Sequence, residues 1–207
     1  MAKVGRDFPF KGKYVVRLLE RFDMVECKSL PTPMEMNFKK RCGEAAGPEL
    51  ANPSEYRQLV GALMFLVNTR PDICFAVNTL SQFMTKHVLR YLHGTINLGL
   101  RYVIVDVRLY GYTDADWTGS VVDRRSTSKW CFSLGSAMIS WMSQKQKFLA
   151  LSTVEAEYIA ASLQSCEAFW LRKIFGELFK QVPTTTIIYC ANKSGIHLSE
   201  NHVFHDK

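Results

Sequence analysis

The chain has 207 residues, 47% of them hydrophobic, enough for one large domain or two small ones with a buried core and too apolar to be disordered throughout. Twenty-six Lys and Arg against 19 Asp and Glu give a net charge of +7, a balance suited to contact with a phosphate backbone. The six cysteines are scattered, with no C-x-x-C pair and no zinc spacing, which excludes a disulfide scaffold and a zinc finger and points to a reducing compartment. The N-terminus lacks the apolar core of a signal peptide, and the longest apolar run, Leu59–Val67, is too short to span a bilayer. The expectation is an intracellular protein, cytoplasmic or nuclear, with no membrane partner.

In chain order, Lys13–Phe22 sets apolar residues at helical spacing with basic residues between them. Pro31 and Pro33 break the pattern. The Gly-, Ala- and Pro-rich stretch Gly43–Pro53 reads as an exposed loop, with Lys39, Lys40 and Arg41 at its edge as solvated charge. A second helix runs from Ser54 to Thr69 and stops at Arg70-Pro71, because a residue before proline disfavours helix. Thr85-Lys86-His87 leads straight into Val88–His93 with no turn residue, so one long helix from about Asp72 to His93 is predicted, ended by Gly94. Cys74 and Cys166 lie in apolar helical runs and are predicted to be buried free thiols.

From Leu98 the period changes to that of strands. Leu100–Val105 and Arg108–Thr113 alternate, and Lys129–Leu134 and Ala137–Met142 flank Gly135-Ser136 as a hairpin. A helix follows from Thr153 to Phe179, with Ile159, Leu163, Cys166, Trp170, Ile174 and Leu178 as its apolar face. Ser152 and Glu155 match a capping box, in which each side chain satisfies a backbone N–H of the other. Thr184–Tyr189 suits a buried strand and Ser194–Ser199 the start of a helix. The predicted class is α/β, a mixed sheet in the order β-β-β-α-β-α behind a small helical segment, with residues 1–97 as the helical part and 98–207 as the sheet domain.

This order places acids at the end of the first of those three strands, on the helix and at the exit of the fourth strand. Two divalent ions about 4 Å apart, held by several carboxylates, would need that layout to cut a phosphodiester. In Tyr112-Thr113-Asp114-Ala115-Asp116-Trp117, both aspartates fall on one strand face. Asp114, nearer the sheet centre, is the metal-ligand candidate, and Asp116 is a turn or cap residue. Glu155 is taken up by capping, so Glu157 is the carboxylate left to face the sheet's end.

The segments GYTDADW, DRRSTSKWCFSLG, ISWMSQKQKFLALSTVEAEYIAAS and EAFWLRKIF resemble the ribonuclease H domain of Ty1/copia-type retrotransposon polyproteins. The earlier YRQLVGALMFLVNTRPDICFAVNTLSQFM and VLRYLHGT resemble the stretch joining reverse transcriptase to that domain. The resemblance covers nearly the whole chain. It implies a ribonuclease H-like fold, Mg²⁺ as cofactor and an RNA–DNA hybrid as partner and substrate. The family's first aspartate falls on Asp114 and its glutamate on Glu157. Where the family pattern resembles C-D-N, this chain has Cys190-Ala191-Asn192, and a methyl group binds no Mg²⁺. The fourth acid belongs downstream of Val203-Phe204-His205-Asp206, and Asp206 is not its equivalent. The loop and helix start that the family carries between the SQFM and VLRYL segments are missing.

These departures imply a degenerate ribonuclease H-like chain, inactive or nearly so, with Mg²⁺ bound weakly or not at all. Arg124, Arg125, Lys145 and Lys147, within the Gln144–Lys147 run, are the candidates for holding a hybrid. Trp117, Trp130 and Trp141 are read as core, and His202 and His205 as a loop pair. A domesticated nucleic-acid or protein interaction module is the alternative. A secreted effector-like protein is a third reading, against which stand the absent signal peptide and the lack of an R-x-L-R motif. A sheet without its last strand has an open edge, so self-association is also expected.

Overall fold

The computed structural model describes residues 5–7, 11–35, 53–79, 82–103, 108–119, 123–180 and 185–200. The chain divides into two compact units, Met1–Tyr102 and Val103–Lys207. The loop read at Gly43–Pro53 lies outside the described residues up to position 52, as do Lys39–Arg41 and the His202–His205 pair.

In the first unit, strand β1 (Gly5–Asp7) pairs with β2 (Arg101–Val103) in a two-stranded sheet. The Leu100–Val105 run therefore contributes to a separate small sheet. Helix α1 (Gly12–Arg21) buries Val15, Leu18 and Leu19, the i, i+3, i+4 stripe its spacing predicts. Helix α2 (Pro53–Val67) opens on a proline, whose missing N–H costs nothing in a first turn, and buries Leu59, Leu63 and Leu66. At Arg70 the backbone leaves the helical region (φ −130°, ψ 78°), as a residue before proline must.

The single helix predicted over Asp72–His93 is not formed. Pro71–Ile73 is a 3-10 turn, α3 is only Cys74–Asn78, and α4 is Gln82–Gly94. The interruption has a local cause. Asn78 Nδ2 donates to the Cys74 carbonyl at 3.0 Å and Thr79 Oγ1 to the Phe75 carbonyl at 2.8 Å, so two side chains bond the i−4 carbonyls at the close of α3. Leu63, Leu66, Ile73, Val88, Leu89 and Leu92 are buried to within 1% and form the centre of this unit's core.

One polar network sits against that core. Arg70 is 4% exposed, and its Nε and Nη2 contact both Asp72 oxygens at 2.7–3.2 Å while Nη1 and Nη2 reach Thr95 O and Oγ1 at 3.0 and 2.8 Å. The Tyr91 hydroxyl donates to Asp72 Oδ2 at 2.8 Å. Burial pushes the Asp72 carboxyl up, but the Arg70 hydrogen bonds and charge outweigh it, and its pKa lies below the ordinary carboxylate value.

The second unit is a mixed four-stranded sheet crossed by one long helix. Strands β3 (Leu109–Asp116), β4 (Thr127–Leu134) and β5 (Ala137–Lys145) are antiparallel neighbours, and β6 (Ile187–Cys190) runs parallel to β3, in the order β5-β4-β3-β6. Gly135 takes φ 60° in the β4–β5 turn, a conformation glycine adopts without the strain a Cβ adds. Helix α5 (Thr153–Phe179) forms the crossover, and α6 (Lys193–Glu200) follows β6. On the outward face, Tyr112 and Tyr189 stack with ring centres 5.3 Å apart and help fasten β6 to β3.

The buried face of α5 is not the one its large apolar residues mark. Ala156, Glu157, Ala160, Gln164, Ala168 and Leu171 are buried, whereas Leu163, Trp170 and Leu178 are 45%, 55% and 69% exposed and Cys166 is also exposed. The contact stripe is offset by one residue, about 100° around the helix. Gly111 explains the choice, since a Cβ there would stand 2.7 Å from Gln164 Nε2 and 2.8 Å from Phe132 Cε1. Close approach of helix to sheet requires the small residues to face inward. Cys74, by contrast, is buried as predicted. Among the described residues no helix is long and apolar enough to cross a membrane.

Candidate carboxylate site at the end of the central strand

Strand alternation turns Leu109, Gly111 and Thr113 towards α5 and leaves Tyr112 and Asp114 on the other face. Asp114 lies two residues from the end of β3, 58% exposed, opposite Lys129 of β4 in the antiparallel register. Lys129 Nζ is 3.2 Å from Asp114 Oδ2. Asp116 closes the strand, and the Gly119 N–H donates to its carbonyl at 3.3 Å in the turn that follows.

Glu157 arrives from α5, whose start is fixed by its cap. Ser152 is extended (φ −146°, ψ 165°) and its Oγ accepts the Glu155 N–H at 3.1 Å. Glu155 turns back as a capping residue should, but the N–H it accepts at 2.7 Å belongs to Leu151, one residue upstream of the reciprocal partner the pattern specifies. With Glu155 so engaged, Glu157 lies one turn in and only 7% exposed. Burial pushes its carboxyl pKa up, the Ala115 backbone N–H pulls it down, the Asp114 charge pushes it up again and Lys129 pulls it down, leaving it above the ordinary value. Asp114, Lys129 and Glu157 are thus within electrostatic reach of one another.

The third side is supplied by β6. Thr113 pairs with Cys190, the last residue of β6, and Ala191 follows directly at the same end of the sheet as Asp114. Cys190 Sγ approaches Glu157 Oε2 at 4.0 Å. Asn192 Oδ1 accepts the Gly195 N–H at 3.0 Å and so caps α6, and a Cβ on Gly195 would stand 3.6 Å from Glu157 Cβ. The structure therefore brings positions 114, 157 and 191 to one end of the sheet, with a carboxylate at two of them. Among the described residues, no group of three or more His, Cys, Asp or Glu is placed to hold a metal ion. A site for paired divalent ions does not fit these side chains, since one carboxylate is paired with an ammonium and the third position carries a methyl.

The basic candidates lie at the same end. Asp116, Thr127 and Lys145 share one register row, and Arg124 and Arg125 precede Thr127 in the β3–β4 connection. Arg124 is exposed with φ 52°, Arg125 N–H donates to Asp123 Oδ1 at 3.2 Å, and Lys145 Nζ is 3.1 Å from Asp123 Oδ2. Lys147 is exposed. Gln146 differs from its neighbours in the run, being 3% exposed, with Nε2 donating to Ser128 Oγ and the Ala156 carbonyl, both at 2.9 Å. It ties the end of β5 to the start of α5. Of the tryptophans, Trp130 is core at 8% exposure, while Trp117 is 40% exposed with Nε1 donating to the Ala150 carbonyl at 3.2 Å.

Sequence reasoning missed Lys129 and did not foresee that Gln146 turns inward or that Cys190 approaches Glu157. The pairing of Lys129 with Asp114 depends on the β3–β4 register, which the Gly135-Ser136 hairpin between β4 and β5 does not set. Nothing in the composition of Gln144–Lys147 marks its one inward glutamine.

The chain belongs to the family of copia-type retrotransposon Pol polyproteins. It is 39% identical over 94% of its length to the retrovirus-related Pol polyprotein from transposon RE1 of Arabidopsis thaliana, and 38% identical over 93% to that from transposon TNT 1-94 of Nicotiana tabacum. It spans 14% and 16% of the length of these two relatives. It is also 46% identical, over 56% of its length and 90% of the relative's, to secreted RxLR effector protein 161 of Plasmopara viticola. No family model matches the chain, and no solved structure matches it.

Proposed function

We propose that the second unit is a ribonuclease H-like domain that has kept a hybrid-binding end and lost, or nearly lost, its cleavage chemistry. The observation that carries this reading is the meeting of Asp114 and Glu157 at the end of β3 with Ala191 at the third position. The sheet order β5-β4-β3-β6 with a crossover helix between β5 and β6 supports the ribonuclease H-like assignment. Two carboxylates, one of them paired with Lys129, supply too little charge and too few oxygens to fix a pair of Mg²⁺ ions in an in-line displacement. No catalytic step is therefore assigned to this chain.

The decisive assay incubates the pure protein with a labelled RNA–DNA hybrid in Mg²⁺ or Mn²⁺. The expected result is no cleavage above that of Asp114→Asn; cleavage abolished by that substitution would refute the inactive reading. Binding is a separate matter. Arg124, Arg125, Lys145 and Lys147 are all exposed at the end of the sheet that holds Asp114, where they can meet phosphates. Hybrid affinity should fall as salt rises, and replacing these four residues with Gln should flatten the slope. No binding at low salt would instead favour a protein interaction module. The described strand β6 is a sheet edge with Ile187 and Tyr189 about half exposed, which supports self-association there, measurable as a concentration-dependent mass in light scattering.

A further inference from the structure

We propose that Lys129 is the resident cation of the Asp114–Glu157 pair, an internal ammonium that keeps divalent ions from the site. The inference rests on reading that pair as the inherited metal position, and adds what now occupies it. Lys129 is not a stray surface charge. Its backbone is locked opposite Asp114 by the β3–β4 ladder, its Nζ lies 3.2 Å from Asp114 Oδ2, and it is only one-third exposed. The same ammonium also acts on Glu157, which is buried at the N-terminal end of α5. Two carboxylates and one ammonium leave a single net negative charge at a place where a divalent ion would have to coordinate. With a methyl group at position 191, that position supplies no carboxylate to offset the lysine.

An arriving divalent ion meets two penalties. It must displace Lys129 from Asp114, and it is then repelled by an ammonium that the strand keeps within a few ångströms. Together these weaken divalent binding on the order of tenfold relative to the same pair without the lysine. The effect depends on charge, not on the shape of the side chain, so arginine at 129 should preserve it and glutamine should remove it.

The test is a Mn²⁺ titration of the full chain, with free ion followed by electron paramagnetic resonance, in the wild type, Lys129→Gln, Lys129→Arg, Asp114→Asn and the Lys129→Gln/Asp114→Asn double variant. The expected result is that Lys129→Gln binds Mn²⁺ about tenfold more tightly than the wild type. Lys129→Arg should stay at the wild-type value, and the double variant should lose the gain. If Lys129→Gln binds no more tightly than the wild type, the role of Lys129 is overturned. A gain that survives Asp114→Asn overturns the reading of Asp114 as the metal position instead. Hybrid affinity, measured by anisotropy without divalent ions, tests the nucleic-acid reading independently of both.

Discussion

Replacing Arg70 with Ala should destabilise the first unit by about 3 kcal/mol, and the figure can be worked from the contacts. Removing one member of a buried ion pair costs roughly 3–5 kcal/mol, because the other charge is left without its partner. Arg70 itself is 4% exposed, but the Asp72 side chain is 33% exposed and keeps the Tyr91 hydroxyl at 2.8 Å, so water and Tyr91 recover part of the loss. Two contacts to Thr95 vanish as well. The depressed Asp72 carboxyl sets the pH dependence. A group whose folded pKa lies below its unfolded one contributes fully above the unfolded value, near pH 4, and loses that contribution as pH falls through the folded value. The gap between wild type and variant should be widest above about pH 5 and shrink in acid. All four tryptophans, at positions 117, 130, 141 and 170, lie in the second unit, so urea unfolding followed by far-UV circular dichroism, with tryptophan fluorescence as a parallel probe, separates the two units. A loss under about 0.5 kcal/mol, or a gap that does not change with pH, would refute the reasoning.

Three further outcomes are expected. Gly111→Ala should cost about 1–3 kcal/mol in the fluorescence-detected transition, since the added Cβ meets Gln164 and the Phe132 ring, both fully buried; an unchanged midpoint would mean α5 can shift away at no cost. Ser152→Ala should cost about 1 kcal/mol by thermal melting, through the lost bond to the Glu155 N–H, with a midpoint within experimental error of wild type as the contrary result. Ala191→Asp combined with Lys129→Gln should bind Mn²⁺ more tightly than Lys129→Gln alone, because position 191 follows the last residue of β6 at the sheet end that holds Asp114; equal affinity would show that position 191 does not reach the pair.

The elements of the second unit could be read from the sequence because their signals are local. Alternation, the Gly135-Ser136 turn and the Ser152 cap each act within a few residues, and β3, β4, β5 and α5 form where those signals lie. Two features of the helices could not be read that way. The break after Asn78 comes from side chains that bond their own backbone, a competition that a count of apolar spacing does not register. The inward face of α5 is chosen by what it packs against. Gly111 on a distant strand admits Gln164, and Trp170 is left outside, although the periodicity of α5 alone favours the larger residues. Asp114 and Glu157 were legible as strand-end and helix acids, whereas Lys129 became part of the site only through strand register.

Positions 114, 157 and 191 differ in what else they do for the fold. Glu157 is buried under the end of β3, where its carboxylate meets the Ala115 backbone N–H and its Cβ faces the start of α6. Shortening it would leave a gap, a cost to the fold whether or not any ion binds. Ala191 is exposed just beyond β6, and α6 is capped by its neighbour Asn192. The side chain at 191 therefore contributes neither packing nor a cap. Asp114 lies between these cases, half exposed and paired with Lys129, so its charge is neutralised without a metal.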